Sequence, residues 1–280
     1  MLSTNSFSII FVIVKLLVDW KFCEAGLRII GGRNALKDEF PFAVRLECQI
    51  QITRNRTKQF EYRRFCTGAA ISPSWILTSA HCDSDKLNFE PPRIQTAKKF
   101  ARYSSYFPKE EGHLSPITKV IAHPSYIPHE YSKNVDNDIA LYQTEKLKIS
   151  SYGKISAIDY TSFIGHEIFV LGFGLNNASE SEKPLQVLKG IVIKCNEGVS
   201  GLLCVVPQCG LEASTCSGDS GGSVVHASGI VGINSASFTT CERLKGRLLR
   251  PGLPSDIITM VSPFVDWISK IITNKTDESL

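Results

Sequence analysis

The 280-residue sequence has no long single-residue tract and no strong excess of either charge: 31 Lys and Arg face 27 Asp and Glu, a formal charge of +4. That field is too weak to argue for a nucleic-acid partner. Past the first 18 residues no stretch of 18 consecutive apolar residues occurs, so the later chain offers no membrane-spanning helix. There is no Gly-rich phosphate cradle, and the six histidines at 81, 113, 123, 129, 166 and 226 never form a His-x-x-x-His pair. Nucleotide and metal chemistry therefore have no motif to rest on, and no cofactor or metal is expected. No fixed-period repeat is evident either. What is present is apolar material, 43% of residues against 21% charged, with 20 Gly and 13 Pro. This is enough for a packed core in one or two domains and excludes a disordered, collagenous or coiled-coil chain.

Residues 7–18, FSIIFVIVKLLV, make one apolar run broken only by Ser8 and Lys15. It is too short to cross a bilayer and stands where a secretory leader stands, so residues 1–25 are expected to be a signal peptide cleaved after Ala25. The product would be secreted, extracellular and free of the membrane. Nine cysteines occur at 23, 48, 66, 82, 195, 204, 209, 216 and 241. Cys23 would leave with the leader, and the remaining eight suit disulfides in an oxidising compartment. Three Asn-x-Ser/Thr acceptors, at Asn55, Asn177 and Asn274, lie in polar stretches suited to glycosylated surface loops.

From residue 41 onward, short β-branched or aromatic runs alternate with Gly, Pro, Asn and Ser: FAVRLECQIQI, AAISPSWILTSA, KVIAHP, DIALYQ, EIFVLGFG, QVLKGIVIK and SGIVGINSA. Many short strands with turn signals predict an all-β sandwich or barrel. The exception is near the end, where Phe264, Trp267, Ile268, Ile271 and Ile272 share one helical face and Ser262-Pro263 supplies an N-cap and a first-turn proline. This helix is a packing element.

Three segments, in this order, carry chemistry: Thr78-Ser79-Ala80-His81-Cys82, Asn137-Asp138-Ile139-Ala140-Leu141 and Gly218-Asp219-Ser220-Gly221-Gly222. A serine hydroxyl is a weak nucleophile at neutral pH, so it needs a base, and the base needs a group that fixes its tautomer and stabilises its cation. Ser220, His81 and Asp138 are of the right types, and at 57 and 82 residues apart only the fold can assemble them. Together the segments resemble the chymotrypsin/trypsin family of serine proteases. The resemblance extends to Arg28-Ile29-Ile30-Gly31-Gly32, Cys66-Thr67-Gly68, Val170-Leu171-Gly172-Phe173-Gly174 and Pro251-Gly252, nearly the whole chain after residue 28. The α/β-hydrolase type of lipase or esterase is excluded, because here the serine follows the other two residues.

The resemblance implies two antiparallel six-stranded β-barrels with the active site between them and a C-terminal helix. It implies an activation peptide over 26–28 and a protease domain over 29–274, with the first barrel at 29–145, the second at 146–257, the helix at 258–274 and a tail at 275–280. The Gly218 and Ser220 amides would form an oxyanion hole. Cleavage after Arg28 by a trypsin-like partner would free an ammonium at Ile29 to pair with Asp219, so the uncut chain would be an inactive zymogen. Disulfides Cys66–Cys82, Cys216–Cys241 and Cys195–Cys204 are implied, leaving Cys48 and Cys209 to a shared bridge, free thiols or an intermolecular bond. The enzyme would act on proteins or peptides as a monomer, subject to protein inhibitors.

On the same resemblance Ser214 forms the floor of the primary pocket, where an Asp would select Lys or Arg; a neutral floor points to uncharged side chains. Gly232 falls where the family has a serine touching the catalytic Asp, Ile233 where it has a tryptophan, and Asn234 on the pocket wall opposite Gly252, narrowing the slot. Pro254 replaces a common aromatic. These departures motivate a rival expectation, a protease-like binding or regulatory protein without useful turnover. Finally, Arg54, Arg56, Lys58, Arg63 and Arg64 surround a lone Glu61 and would border the leaving-group side of the cleft, where they could attract acidic residues.

Overall fold

The computed structural model describes residues 32–54, 57–83, 98–107, 110–128, 136–174, 184–195, 202–208, 213–238 and 255–273. The short strand β1 (Arg33–Asn34) is followed by β2 (Ala43–Arg54), β3 (Thr57–Ser72), β4 (Trp75–Thr78), β5 (Lys98–Tyr103), β6 (His113–Ala122) and β7 (Ala140–Thr144). Strands β2 to β7 close on themselves in the order β2-β3-β4-β7-β6-β5. Closure is the physical answer to two-sided chains of this kind, since it leaves no edge and gives each strand one buried face. Along β2 the residues Val44, Leu46, Cys48 and Ile50 are all buried, the period of two expected of a barrel wall. Val44, Leu46 and Cys48 pack with Phe65, Ile76 and Tyr142 from other strands of the barrel.

The second half repeats the device with β8 (Glu167–Gly172), β9 (Gln186–Lys194), β10 (Leu203–Pro207), β11 (Ser223–His226), β12 (Gly229–Ser237) and β13 (Asp256–Met260). The order β9-β10-β13-β12-β11-β8 is closed by the β8–β9 pairing. Its core holds Phe163, Ile168, Val170, Leu188, Val205, Val224 and Ile258. Strand β1 does not belong to the first barrel, where its place in the chain would put it; it pairs with β9 of the second, Arg33 opposite Val187. Both barrels are six-stranded and antiparallel, as the resemblance implied.

A third cluster, Ala69, Leu77, Ile139 and Leu141 from the first barrel with Ile230 and Ile233 from the second, joins the two. The terminal helix α1 (Val265–Thr273) seals it with Ile268 and Trp267, joined by Phe264 just ahead of the helix. This helix starts later than the sequence suggested: Asp256–Met260 is strand, and a 3₁₀ turn at Ser262–Phe264 precedes α1. Pro263 sits in that turn, but Ser262 does not cap it; Val261 holds the cap position without a side-chain hydrogen bond. No helix among the described residues is long and apolar enough to cross a membrane.

Cys66–Cys82 and Cys195–Cys204 are disulfides. Cys216 is also disulfide-bonded, and its expected partner Cys241 lies outside the described residues. Cys48 is a free thiol buried in the first barrel, its pKa pushed up to about 11 by burial, so it is an inert core residue. Cys209, the leader and activation residues up to Ile29, the sequons at Asn55, Asn177 and Asn274, and Pro251, Gly252 and Pro254 fall outside the described residues.

Candidate active site

Chain order puts His81 in the 3₁₀ turn Ala80–Asp83 directly after β4, and Asp138 just ahead of β7, the strand that pairs with β4. Asn137, with φ of 55°, makes the left-handed turn that delivers Asp138, and the fully buried Ile139 anchors it from the other side. The two therefore meet at one end of the β4–β7 pair. His81 Nδ1 lies 2.7 Å from Asp138 Oδ2, and the His81 backbone amide donates to Oδ1 at 2.9 Å. This is the orientation that fixes an imidazole tautomer with its other nitrogen turned to the cleft. The Cys66–Cys82 bridge braces the turn, with both sulfurs within 4.8 Å of a His81 ring nitrogen.

Asp138 is almost wholly buried, which alone would oppose its ionisation. The hydrogen bonds from the His81 ring, Ser235 and the His81 amide outweigh burial and hold the carboxyl below the usual range. Ser235 was not anticipated. Its hydroxyl donates to Asp138 Oδ2 at 2.5 Å, the role the sequence comparison had looked for at position 232.

Ser220 stands on the loop between Cys216 and β11, held across the barrel interface. Its carbonyl accepts from the Thr67 amide at 2.9 Å and lies 3.9 Å from Cys82 Sγ, next in sequence to His81. No hydrogen bond joins Ser220 Oγ to His81 among the described residues; such contacts commonly close only when substrate binds. Gly218, with φ of 95°, adopts a conformation costly for any side chain. Its carbonyl accepts from Thr67 Oγ1 at 2.8 Å, and Thr67 Oγ1 accepts from the Phe173 amide at 3.0 Å. The amides of Asp219, Gly221 and Gly222 donate to Cys216, Asn234 and Asp219 carbonyls. Those of Gly218 and Ser220 have no protein acceptor among the described residues, which leaves two donors for an incoming oxyanion.

Asp219 between them is completely buried, and burial pushes its pKa up to about 6 despite amide donors at Cys216 (2.8 Å) and Gly174 (2.5 Å) and the nearby Arg64 charge. The carboxylate lies against Gly172 and Gly174, where any Cβ would collide with it.

The pocket residues need correction. Gly232 pairs with Val224 and Met260 inside the second barrel, and a Cβ there would stand 3.1 Å from the Thr259 carbonyl. Ile233 is fully buried between the barrels. Asn234 is 2% exposed and supports the loop: its backbone holds the Gly221 and Gly222 turn at 2.8 Å on each side, and its Nδ2 donates to Thr215 Oγ1. The β12–β13 ladder runs from Asn234 opposite Ile258 to Ala236 opposite Ile257, skipping Ser235. The observed serine lies three positions past the expected one, and Ser237 lies opposite Asp256 in the ladder. Ser214 is buried, its hydroxyl 2.8 Å from Ser237 Oγ.

The Trypsin family model matches residues 29–268. Granzyme M of Rattus norvegicus is 28% identical over 88% of this chain and 89% of its own length. Kallikrein-8 of Homo sapiens is 27% identical over 82% and 85%, and the vitellin-degrading protease of Bombyx mori 25% identical over 97% and 96%. A solved structure of neuropsin, a serine protease expressed in the limbic system of mouse brain, superposes with a TM-score of 0.63 at 19% identity, covering 86% of this chain and 98% of that one. With the fold and the relatives agreeing over nearly the same residues, the chain belongs to the trypsin family of serine proteases.

Proposed function

We infer that the protein is a secreted serine endopeptidase made as a zymogen. Residues 1–25 serve as the leader, cleavage after Arg28 activates the chain, and Ser220 attacks the scissile carbonyl while His81 takes its proton. The acyl-enzyme on Ser220 is then hydrolysed by water activated at the same imidazole. The observation that carries the reading is the His81–Asp138 hydrogen bond set beside the two unclaimed amides of the Ser220 loop. The new Ile29 ammonium would pair with the buried Asp219 carboxylate. The reaction needs protein groups alone, and protein substrates and protein inhibitors are its expected partners.

The rival reading, a protease-like binding protein, drew on Gly232, Ile233, Asn234 and Pro254. The first three are core or loop-support residues, and Ser235 supplies the hydroxyl thought missing. Little of its motivation survives. Incubating the chain, cut after Arg28, with a mixed peptide library tests the choice: turnover that disappears in Ser220→Ala supports the endopeptidase, and a folded, correctly cut wild type without turnover supports the binding protein. The expectation of an uncharged side chain in the pocket rested on the neutral Ser214.

A further inference from the structure

Three carboxylates are fully or almost fully buried around the cleft. Asp138 has His81, and Asp219 awaits the Ile29 ammonium on the reading above. The third, Asp256, has 0% exposure and no partner in either device. It opens β13 directly across the ladder from Ser237 on the pocket wall. Its Oδ1 accepts from the Thr215 amide at 3.1 Å and from Thr215 Oγ1 at 2.5 Å, and its Oδ2 accepts from Ser255 Oγ at 2.6 Å. Ser237 hydrogen-bonds it as well, and the Ser237 hydroxyl in turn meets that of Ser214 at 2.8 Å. The floor and wall hydroxyls therefore lead straight to a carboxylate.

We propose that Asp256 is the specificity-determining residue of the primary pocket: a carboxylate supplied from the β13 wall instead of the floor, which makes the pocket a site for a cationic side chain, Lys or Arg, at the cleavage point. The proposal rests on the protease reading. Its physical basis is charge accounting. Desolvating a carboxylate costs several kcal/mol, and hydroxyl and amide donors offset only part of that. Among the described residues no Lys, Arg or His forms an ion pair with Asp256. Burial raises its pKa while the Ser255, Thr215 and Ser237 donors oppose the rise. An ammonium or guanidinium entering beside Ser214 and Ser237 would supply the missing positive charge where the dielectric is low and the interaction strong. A neutral side chain would leave it missing.

The test uses the chain cut after Arg28 and peptides that differ only at the residue before the scissile bond. Lys or Arg peptides should exceed Ala and Phe peptides about a hundredfold in kcat/KM. Asp256→Asn should remove about a hundredfold from the Lys and Arg peptides and leave the Ala peptide within about threefold. A wild type that cleaves neutral peptides as well as basic ones overturns the proposal, as does an Asp256→Asn loss shared equally by all peptides, the mark of a purely structural carboxylate. Calorimetry with benzamidine against the neutral benzamide needs neither turnover nor a variant, and the charged ligand should bind at least about tenfold tighter. Equal binding overturns the proposal. If a fluorophosphonate labels Ser220 but no charge preference exists, the pocket proposal falls and the protease reading stands. If labelling fails but benzamidine is still preferred, the reverse holds.

Discussion

Asp138 takes three donors on two oxygens: the His81 ring and Ser235 hydroxyl on Oδ2, the His81 amide on Oδ1. Each is charge-assisted, and losing one such bond costs about 1.5 to 3 kcal/mol. Ser235→Ala should therefore lower kcat/KM about ten- to a hundredfold in a peptide assay while circular dichroism stays unchanged. Because the folded carboxyl is held below its ordinary pKa, the stability it contributes is present above that ordinary value and lost as pH falls through the depressed one. The same variant should then begin acid unfolding at a higher pH than wild type, followed by fluorescence. Gly232→Ser, which restores the serine at the position first suspected, should gain no activity and should lower the melting temperature, since its Cβ would press on the Thr259 carbonyl. His81, Asp138 and Ser220 stand out in the sequence because each sits in a short motif of fixed order. Ser235 was not, because the sequence Gly-Ile-Val-Gly-Ile-Asn-Ser offers two places to begin counting and alternation does not register a bulge.

At the scale of elements, Thr67 on β3 is one of the ties between barrels. Its hydroxyl binds the Gly218 carbonyl and the Phe173 amide, its backbone amide binds the Ser220 carbonyl, and its own carbonyl accepts from Thr78 Oγ1. Thr67→Val keeps the shape and removes two hydrogen bonds, leaving buried groups unsatisfied at about 1–3 kcal/mol each. It should lower kcat more than it raises KM, measured over a substrate series, because the loop that aims the Gly218 and Ser220 amides loosens. Strands were read well where apolar residues alternate, as in β2, and the apolar face of α1 was plain from its spacing. The end of β13, Ile258–Met260, fell inside the expected helix: the strand is buried throughout, and without alternation a fully buried strand resembles the start of a buried helix. The pairing of β1 with the second barrel is a long-range choice that no local pattern encodes.

For the whole molecule, the two barrels share one apolar interface through Leu77, Ile139, Ile230 and Ile233, and the active-site loops hang on its rim. Activation on this account is a change in the ionisation of one buried group. Asp219 has a folded pKa near 6, above its unfolded value, so its contribution to the uncut chain is complete below about pH 4 and lost as pH rises through 6. An ammonium at Ile29 would reverse that by pairing with the ionised form. Denaturant titrations of the cut and uncut chains between pH 4 and 7 should diverge, the cut chain gaining on the order of 2–3 kcal/mol relative to the uncut. Parallel curves would mean that Asp219 is not the receptor of the new terminus.

The most direct measurement is mass spectrometry of the purified chain, before and after cleavage following Arg28, treated with a fluorophosphonate. The account predicts that the peptide containing Ser220 gains the probe only after cleavage and that the label disappears in His81→Ala. A folded, correctly cut chain whose Ser220 stays unlabelled would contradict it.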